Sequence, residues 1–291
     1  MTTAAEWVAG ARPRTLGAAV APVLVGTAAA YADADRVIWW RAGGALVVAL
    51  ALQVGVNYAN DYSDGVRGTD DARAGPLRLT ASRLATPTAV RTAAVLAFAA
   101  AAAAGLALAV VVDLRLLLVG AAAIAAGALY TGGPRPYGYS GFGELAVLVF
   151  FGLVATAGST YVQIERVPAA AWWGAVAVGL LACAILLANN IRDVDGDRAA
   201  GKRTLAVRLG APQARVIYVA CVGAAFAIVL VVALVSSAWA LLALLALPLA
   251  ARPVRLVLTC TDPPSLVAAL VATGRLELVF SLLLALGLVL S

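Results

Sequence analysis

The chain contains no histidine and only three cysteines among its 291 residues. The absence of histidine excludes histidine-based acid–base catalysis and histidine-ligated zinc or haem. Cys183 and Cys221 lie within long apolar runs and no Cys-x-x-Cys pair occurs, so neither a disulfide framework nor a thiolate-bound metal is indicated. Charged residues make up only 12% of the chain, and Lys202 is the single lysine, so arginine supplies 20 of the 21 basic residues.

What the chain has in excess is apolar residues, which make up 63% of it and give a mean hydropathy of +0.96. This composition is typical of a polytopic membrane protein and not of a soluble core. No linker-like segment interrupts it, so we predict a single integral-membrane domain over residues 1–291. The net charge of +6 is interpreted as a topological signal, and no nucleic-acid partner is expected.

Nine apolar runs define the predicted fold, and most of them are long enough to cross a lipid bilayer as a helix. We therefore predict an all-α membrane protein with about nine transmembrane helices. The moderately apolar stretch 254–272 contains Asp262-Pro263-Pro264 and is predicted to be a loop or an interfacial helix. The nine runs cover residues 16–31, 43–60, 89–112, 116–131, 142–162, 171–191, 215–235, 238–251 and 275–290.

Basic residues are distributed unevenly between the two sides of the predicted bundle. If the N-terminus and every alternate loop lie inside, 17 basic residues fall inside and 4 fall outside. Basic residues favour the cytoplasmic side, so this asymmetry predicts a cytoplasmic N-terminus in a bacterial cell membrane. The two aspartate-containing segments described next would lie on that same cytoplasmic side.

Two of the apolar runs end in matching polar sequences. The first ends in Asn60-Asp61-x-x-Asp64 and the second in Asn189-x-x-x-Asp193-x-x-x-Asp197, and residues four apart lie on one helical face. Carboxylate and amide oxygens suit Mg²⁺, which commonly bridges to substrate phosphates. The alternative is that both sets are only polar caps where helices leave the bilayer. Their repetition favours a shared Mg²⁺ site, with catalytic residues Asn60, Asp61, Asp64, Asp193 and Asp197 and metal ligands Asn60, Asp64, Asp193 and Asp197.

Two long loops on the predicted inner side, residues 65–87 and 194–212, mix acidic, basic, glycine and hydroxyl residues. Arginine binds phosphate oxygens in pairs, and lysine binds them as a point charge. Glycine allows the backbone to approach a phosphate closely. These loops are therefore predicted to bind a diphosphate, although topology alone would explain most of their positive charges. The candidate residues are Arg67, Arg73, Arg78, Arg198 and Lys202.

Six short motifs, spread over most of the chain, carry a resemblance to a known family. They are Asn60-Asp61-Tyr62-Ser63-Asp64-Gly65, Gly68-Thr69-Asp70-Asp71, Gly75-Pro76-Leu77-Arg78, Tyr130-Thr131-Gly132-Gly133-Pro134, Asn189-Asn190-Ile191-Arg192-Asp193 and Gly201-Lys202-Arg203-Thr204. With these motifs the chain resembles the UbiA superfamily of intramembrane prenyltransferases. The resemblance implies nine helices around a central cavity, Mg²⁺, an allylic polyprenyl diphosphate and an aromatic acceptor. Gly68 stands where the wider family often has a third aspartate, so either the metal is held less fully from this side or Asp61 or Asp70 substitutes.

Within the superfamily the chain is most similar to the enzymes that prenylate 1,4-dihydroxy-2-naphthoate in menaquinone synthesis. The resemblance implies transfer of the polyprenyl group to this naphthoate, with loss of CO₂ and diphosphate, to give demethylmenaquinol. A UbiA-type prenyltransferase with another aromatic acceptor is the nearest alternative. A secondary transporter would also carry intramembrane Asp and Asn, but it would not need two long Arg/Asp/Gly loops on one side. The oligomeric state stays open.

The binding site for the aromatic acceptor rests on fewer residues. Asn57 and Gln53 continue the first polar stripe inward, so they either hydrogen-bond the acceptor or form a polar contact between helices. Arg135 is the one basic residue of its Gly/Pro-rich loop and is predicted to bind the acceptor carboxylate, with Tyr130 stacked on the ring, hydrogen-bonded to it or supporting the cation. The alternative is a tight turn that holds a positive-inside residue. Besides the loop residues above, the predicted substrate-binding residues are therefore Gln53, Asn57, Tyr130, Arg135 and Asn189.

Overall fold

The computed structural model of the protein describes residues 2–69 and 77–291. Within those two ranges the regular structure is entirely helical, and no strand occurs. Eight helices there are long and apolar enough to cross a membrane, and a further apolar helix has 16 residues. The predicted all-α membrane fold with about nine helices is therefore confirmed.

The helices are numbered here in chain order, and three of them are short. These three are α1, which precedes the first membrane helix, and α8 and α9, which connect two membrane helices. The bounds are α1 Ala4–Gly10, α2 Gly17–Ala34, α3 Trp39–Arg67, α4 Pro87–Val111, α5 Leu116–Thr131, α6 Gly143–Ile164, α7 Ala169–Arg192, α8 Val194–Ala199, α9 Leu205–Leu209, α10 Ala211–Val235, α11 Ala238–Thr259 and α12 Pro263–Val289.

The stretch 254–272 is the part of the predicted fold that was wrong. Residues 254–259 belong to α11 and residues 263–272 to α12, which is one continuous helix of 27 residues, and only residues 260–262 connect the two helices. The two prolines stand in the first turn of α12, where a missing backbone N–H costs no helical hydrogen bond, so they begin the helix instead of breaking it. Asp262 caps this start, because its Oδ1 accepts a hydrogen bond of 2.9 Å from the backbone N–H of Ser265.

Four of the membrane helices, α2, α7, α10 and α12, form the tightly packed half of the bundle. Their contacts consist largely of buried alanine, valine and leucine, and glycines allow the closest approaches. Helix α6 packs onto this half at Gly26 of α2, where an added Cβ would lie 2.3 Å from the carbonyl oxygen of Thr156. The hydroxyl of Thr160 donates a hydrogen bond of 2.8 Å to the carbonyl oxygen of Gly26 in the same contact. Two helices of this half, α2 and α7, form part of the wall of the cavity described below.

Helix α3 carries the first predicted motif and has 29 residues. It packs closely against α4, since a Cβ at Gly55 would lie 2.7 Å from the ring of Phe98. It ends at Gly68, whose φ of 70° is the left-handed conformation that terminates many helices. Because α3 continues to Arg67, the polar residues that follow Asn60 are helical and keep their spacing of four.

Helix α6 departs from regular α geometry in its middle. Residues Leu148–Val154 form a π-helical segment, and such segments are frequent at functional sites. Phe150, Phe151 and Val154 from this segment line the large internal cavity described below. The π segment therefore forms part of the apolar wall of the cavity.

At the end of the bundle away from these motifs, the α4–α5 loop is tied to the end of α6. The hydroxyl of Tyr161 donates a hydrogen bond of 2.7 Å to Oδ2 of Asp113, and Nε of Arg115 donates one of 2.8 Å to the same oxygen. Hydrogen bonds from Arg115 and Tyr161 hold the pKa of the Asp113 carboxyl well below its usual range. This cluster holds the start of α5 beside the end of α6, and both helices line the cavity.

Candidate active site

The two matching motifs meet at the ammonium group of Lys202. Its Nζ lies 3.1 Å from Oδ1 of Asp64, in the first motif, and 3.8 Å from Oδ1 of Asp197, in the second. The turn after α8 places it there: Gly201 adopts a φ of 73°, and the Lys202 backbone N–H donates a hydrogen bond of 2.8 Å to the carbonyl oxygen of Asp197. All three side chains are buried, so the ammonium and the two carboxylates interact with little screening by water.

Tyr139 completes the contacts of this charge cluster. Its hydroxyl donates a hydrogen bond to Oδ1 of Asp64, and the Lys202 ammonium lies 4.7 Å from the centre of its ring. Burial and the neighbouring Asp64 carboxylate raise the pKa of the Tyr139 hydroxyl. Tyr139 therefore remains a neutral hydrogen-bond donor at physiological pH.

The two asparagines of the motifs have different partners. Oδ1 of Asn60 accepts a hydrogen bond of 2.7 Å from the hydroxyl of Thr131, at the end of α5. Oδ1 of Asn189 accepts one of 2.9 Å from the guanidinium of Arg192. Both asparagines line the cavity, as Asp64 does.

Asp193 has a strong partner within its own helix turn. Both of its carboxylate oxygens accept hydrogen bonds from Arg192, at 2.7 Å from Nε and 2.6 Å from Nη2. Such a two-point pair is among the strongest charge-assisted contacts, and both side chains are almost fully buried. Asp193 is not part of the cavity wall, so a role as a metal ligand would require exchange of this arginine contact.

Asp61 faces away from the cavity. Its two carboxylate oxygens accept hydrogen bonds from the backbone N–H groups of Leu79 and Thr80, at 2.7 and 2.9 Å. The residue is only 1% exposed. Asp61 thus holds the segment after residue 76 against α3, and it does not line the cavity.

Three predicted basic residues also lie outside the cavity wall. The Arg67 guanidinium donates hydrogen bonds to the carbonyl oxygens of Thr131 and Gly133, so it fixes the Gly/Pro-rich loop. Arg198 is exposed and pairs with Asp195 at 3.2 Å. Arg135 is exposed, and within residues 2–69 and 77–291 it makes no hydrogen bond or ion pair. In this conformation none of these three arginines is placed to contact a substrate in the cavity.

The cavity itself lies between α2, α3, α5, α6 and α7 and has a volume of about 370 Å³. Its walls are mainly apolar side chains of these helices, and its polar residues are concentrated at the end that holds Lys202. Of the predicted site residues, those that line it are Gln53, Asn57, Asn60, Asp64, Arg78, Tyr130, Asn189, Asp197 and Lys202. Arg73, predicted to bind diphosphate, and Asp70 lie outside the described residues.

Four residues of the site were not predicted from the sequence: Arg12, Thr15, Tyr139 and Arg192. Arg12 and Thr15 reach the cavity because the chain bends sharply between α1 and α2, with Arg12 at a φ of 55°. The sequence carried one signal for this bend, since a residue before proline is disfavoured in the helical conformation. Arg192 lies inside a quoted motif and Tyr139 lies in the Gly/Pro-rich loop of Arg135, but nothing in the sequence indicated their contacts with Asp193 and Asp64.

The donor set is suited to a hard divalent cation. Asp64 and Asp197 supply carboxylate oxygens on either side of the position that the Lys202 ammonium takes, and the Asn60 amide is close to Asp64 on α3. The described residues contain no group of three or more acidic, histidine or cysteine side chains that would hold a metal alone. Mg²⁺ is commonly bound by one or two carboxylates together with substrate phosphates, and the residues present fit that mode.

A helical membrane protein with an apolar cavity, and with carboxylates and cations at one end of it, is suited to bind an amphipathic molecule with a charged head group. Comparison with known families agrees. The model of the UbiA prenyltransferase family matches residues 19–270. The chain therefore belongs to the UbiA prenyltransferase family, which confirms the predicted resemblance and leaves a secondary transporter without support.

Similar proteins refine this assignment. A protein of Mycobacterium tuberculosis named 1,4-dihydroxy-2-naphthoate octaprenyltransferase is 53% identical over 225 residues, which cover 77% of each chain. A protein of the same name from Escherichia coli is 38% identical and covers 98% of this chain and 95% of its own. Among solved structures, a UbiA homolog from Archaeoglobus fulgidus bound to GPP and Mg²⁺ superimposes with a TM-score of 0.68. It covers 98% of this chain and all of its own at 14% identity, and it supports the fold alone.

Proposed function

We propose that the protein transfers a polyprenyl group from an allylic polyprenyl diphosphate to 1,4-dihydroxy-2-naphthoate, with loss of CO₂ and diphosphate, to give demethylmenaquinol. The observation that carries this proposal is the Lys202 ammonium between two buried carboxylates at the polar end of an apolar cavity. The names and identities of the mycobacterial and Escherichia coli relatives support the choice of acceptor. A different aromatic acceptor on the same fold is the second candidate.

At the polar end of the cavity, the residues present are suited to bind a diphosphate. Asp64, Asp197 and the Asn60 amide would hold Mg²⁺, which when bound neutralises charge on the leaving diphosphate. Lys202 and Arg78 supply positive charge for the phosphate oxygens, and both are buried, so their attraction is weakly screened. The sum of these cations favours departure of the diphosphate from the allylic carbon.

The remainder of the cavity protects and directs the reactive prenyl group. Its alanine, valine, leucine and phenylalanine walls exclude water, which would otherwise capture the allylic cation. The electron-rich naphthalene ring forms the new carbon–carbon bond, and the electrons of its carboxylate bond return to the ring as CO₂ departs. Arg12 lines the cavity and is the better candidate than the exposed Arg135 to bind that carboxylate.

We propose that this site faces the cytoplasm, as the distribution of basic residues indicates. The measurement is the reaction of single cysteines with a membrane-impermeant reagent in a cysteine-free background. A cysteine at position 198, near the site, should react from the cytoplasmic side only. A cysteine at position 165, at the opposite end of α6, should react from the other side only, and equal access from one side would contradict the proposal.

The function is tested with purified protein in detergent, a polyprenyl diphosphate, 1,4-dihydroxy-2-naphthoate and Mg²⁺. We expect equimolar release of diphosphate and CO₂ together with a prenylated naphthoquinol, and none of the three with Asp64→Asn. Diphosphate release without CO₂, or release only with another aromatic acceptor, would favour the second candidate. Absence of diphosphate release with every aromatic acceptor would contradict both.

A further inference from the structure

A hydroxyl group in the bend before α2 organises two amides of the cavity wall. Oγ1 of Thr15 donates its only proton to the carbonyl oxygen of Arg12, at 2.9 Å. The same oxygen accepts hydrogen bonds from Nε2 of Gln53 at 3.1 Å and from Nδ2 of Asn57 at 3.3 Å. Asn57 Nδ2 also donates to the carbonyl oxygen of Ala11, at 2.9 Å. Thr15 Oγ1 and the carbonyl oxygen of Ala11 are thus both used as acceptors by side-chain amide groups.

This arrangement fixes which way the Gln53 amide points. A hydroxyl whose proton is already donated can only accept, so the Gln53 side chain must present its NH₂ group to Thr15. Its Oε1 is then turned away from Thr15, and it is buried without a hydrogen-bond partner among the described residues. Gln53 is 8% exposed, and it lines the cavity, as do Thr15 and Asn57.

A buried acceptor without a donor is unfavourable, and in a native protein it indicates a group that arrives from elsewhere. Gln53 lines the cavity, but Oε1 itself is fully buried in this conformation, so a group in the cavity reaches this oxygen only if the side chains around it move. On α3 the neighbours Ala49, Leu52 and Val56 are apolar, and the amide N–H groups of Asn57 are directed to Thr15 and Ala11. The incoming group must therefore bring its own proton, which means an O–H or N–H and not a carbonyl or an ether oxygen.

We propose that Oε1 of Gln53 accepts a hydrogen bond from the 4-hydroxyl of the naphthoate acceptor, and that Gln53 thereby selects the reduced, dihydroxy ring. This inference rests on the function proposed above. The 1-hydroxyl lies beside the carboxylate and is hydrogen-bonded to it within the molecule, so the 4-hydroxyl is the one available as a donor. An oxidised ring would present a carbonyl oxygen at the same place and would face the Gln53 oxygen without a proton between them.

Gln53 would bind and orient the naphthoate acceptor without taking part in the bond changes, so it is a specificity-determining residue. A neutral amide suits this position, because an acidic side chain would repel both the naphthoate carboxylate and the diphosphate. Thr15 has a positioning role, since it holds the amide in the orientation that leaves Oε1 available. The structure thus links the bend that contains Arg12 to the choice of acceptor.

The experiment compares two acceptors that differ by the hydroxyl in question, 1,4-dihydroxy-2-naphthoate and 1-hydroxy-2-naphthoate. The 4-hydroxyl also activates the ring electronically, so the quantity measured is how a substitution changes the ratio of the two kcat/KM values. Gln53→Met removes the acceptor oxygen at similar volume and should lower this ratio about tenfold or more, mainly through the dihydroxy compound. The KM for the polyprenyl diphosphate should change less than twofold.

Two further variants give the comparison its controls. Thr15→Val leaves the Gln53 oxygen in place but releases the amide, so the ratio should fall to a value between those of the wild type and Gln53→Met. Ser159→Ala removes another polar side chain of the cavity wall and should leave the ratio unchanged. If Gln53→Met does not fold, Gln53→Leu serves the same purpose.

An unchanged ratio in the folded Gln53 variant would overturn the inference, as would an equal fall with Ser159→Ala. Competitive binding of the two naphthoates to the protein, measured without a prenyl donor, separates this failure from a failure of the proposed function. If no prenyl transfer occurs but Gln53→Met still abolishes the preference for the dihydroxy compound, the inference holds and the reaction is wrong. If transfer occurs with no dependence on Gln53, the function stands and the inference is wrong.

Discussion

Asp61 and Asp64 belong to the same motif, carry the same charge and stand three residues apart, but the structure gives them different tasks. We therefore expect Asp61→Asn and Asp64→Asn to have different effects. The first should reduce stability and leave the activity of the folded protein nearly intact. The second should remove activity from protein that still folds.

The expected loss at Asp61 follows from its two backbone hydrogen bonds, of 2.7 and 2.9 Å, in a residue that is 1% exposed. A hydrogen bond to a charged group contributes about 1.5–3 kcal/mol. Asparagine keeps one oxygen for one N–H group and turns its own NH₂ toward the other, so one contact is lost and the other loses its charge. The free energy of unfolding should fall by about 2–4 kcal/mol.

The expected loss at Asp64 is catalytic. Its Oδ1 faces Lys202 at 3.1 Å, and asparagine would remove the negative charge that the ammonium and a bound metal both require. We expect prenyl transfer per folded molecule to fall at least a hundredfold, equivalent to about 2.7 kcal/mol in the activation barrier. For Asp61→Asn the same quantity should stay within about threefold of the wild-type value, since no contact in the cavity changes.

The assay combines equilibrium unfolding in mixed detergent micelles with prenyl transfer at saturating substrates and Mg²⁺, normalised to folded protein. The neighbouring Ser63→Ala is a control for substitution within this turn of α3. An Asp61→Asn protein with wild-type stability and no activity would show that Asp61 acts in the reaction, as the motif alone suggested. A fully active Asp64→Asn protein would refute the assignment of the site.

Three other substitutions separate the binding of the diphosphate from the binding of the naphthoate. Lys202→Met should raise the KM for the diphosphate about tenfold or more. Measured without Mg²⁺, it should also lower the free energy of unfolding by roughly 3–5 kcal/mol, because Asp64 and Asp197 lose their shared cation, and added Mg²⁺ should partly restore it. No effect of Mg²⁺ on the variant would contradict this. Arg12→Ala should raise the KM for the naphthoate about tenfold, which corresponds to about 1.4 kcal/mol. Arg135→Ala should change the same KM less than twofold. If steady-state kinetics showed the larger effect for Arg135→Ala, the sequence-based prediction for Arg135 would be restored.

The parts of the site that could be predicted from sequence are those governed by helical geometry. Asn60 and Asp64 are four residues apart on a long apolar helix, so their common face follows from the helix period, and both line the cavity. The same period places Asp61 about 100° away from Asn60 around the helix axis. The motif gave Asp61 a catalytic role, but its position on the helix already favoured another face.

The contacts of the arginines could not be predicted in the same way. Membrane topology alone explains why any of these arginines lies on the inner side, so their number there does not distinguish one from another. Their individual contacts depend on loop conformations, which follow no sequence periodicity. Arg67 donates to loop carbonyl oxygens, Arg192 pairs with Asp193, and Arg78 lines the cavity. The stretch 254–272 was misjudged for a related reason, since Pro263 ends a helix in one context and begins one in another.

Lys202 gives the protein an unusual chemical selectivity. Because every other basic side chain is an arginine, the chain offers an acylating reagent a single side-chain amine. That amine is buried at the point where the two motifs meet, in contact with the carboxylates of Asp64 and Asp197, so a reagent reaches it only when this contact opens. The rate at which this one nitrogen is modified therefore measures how well the two motifs are joined, in a protein with no second lysine to obscure the signal.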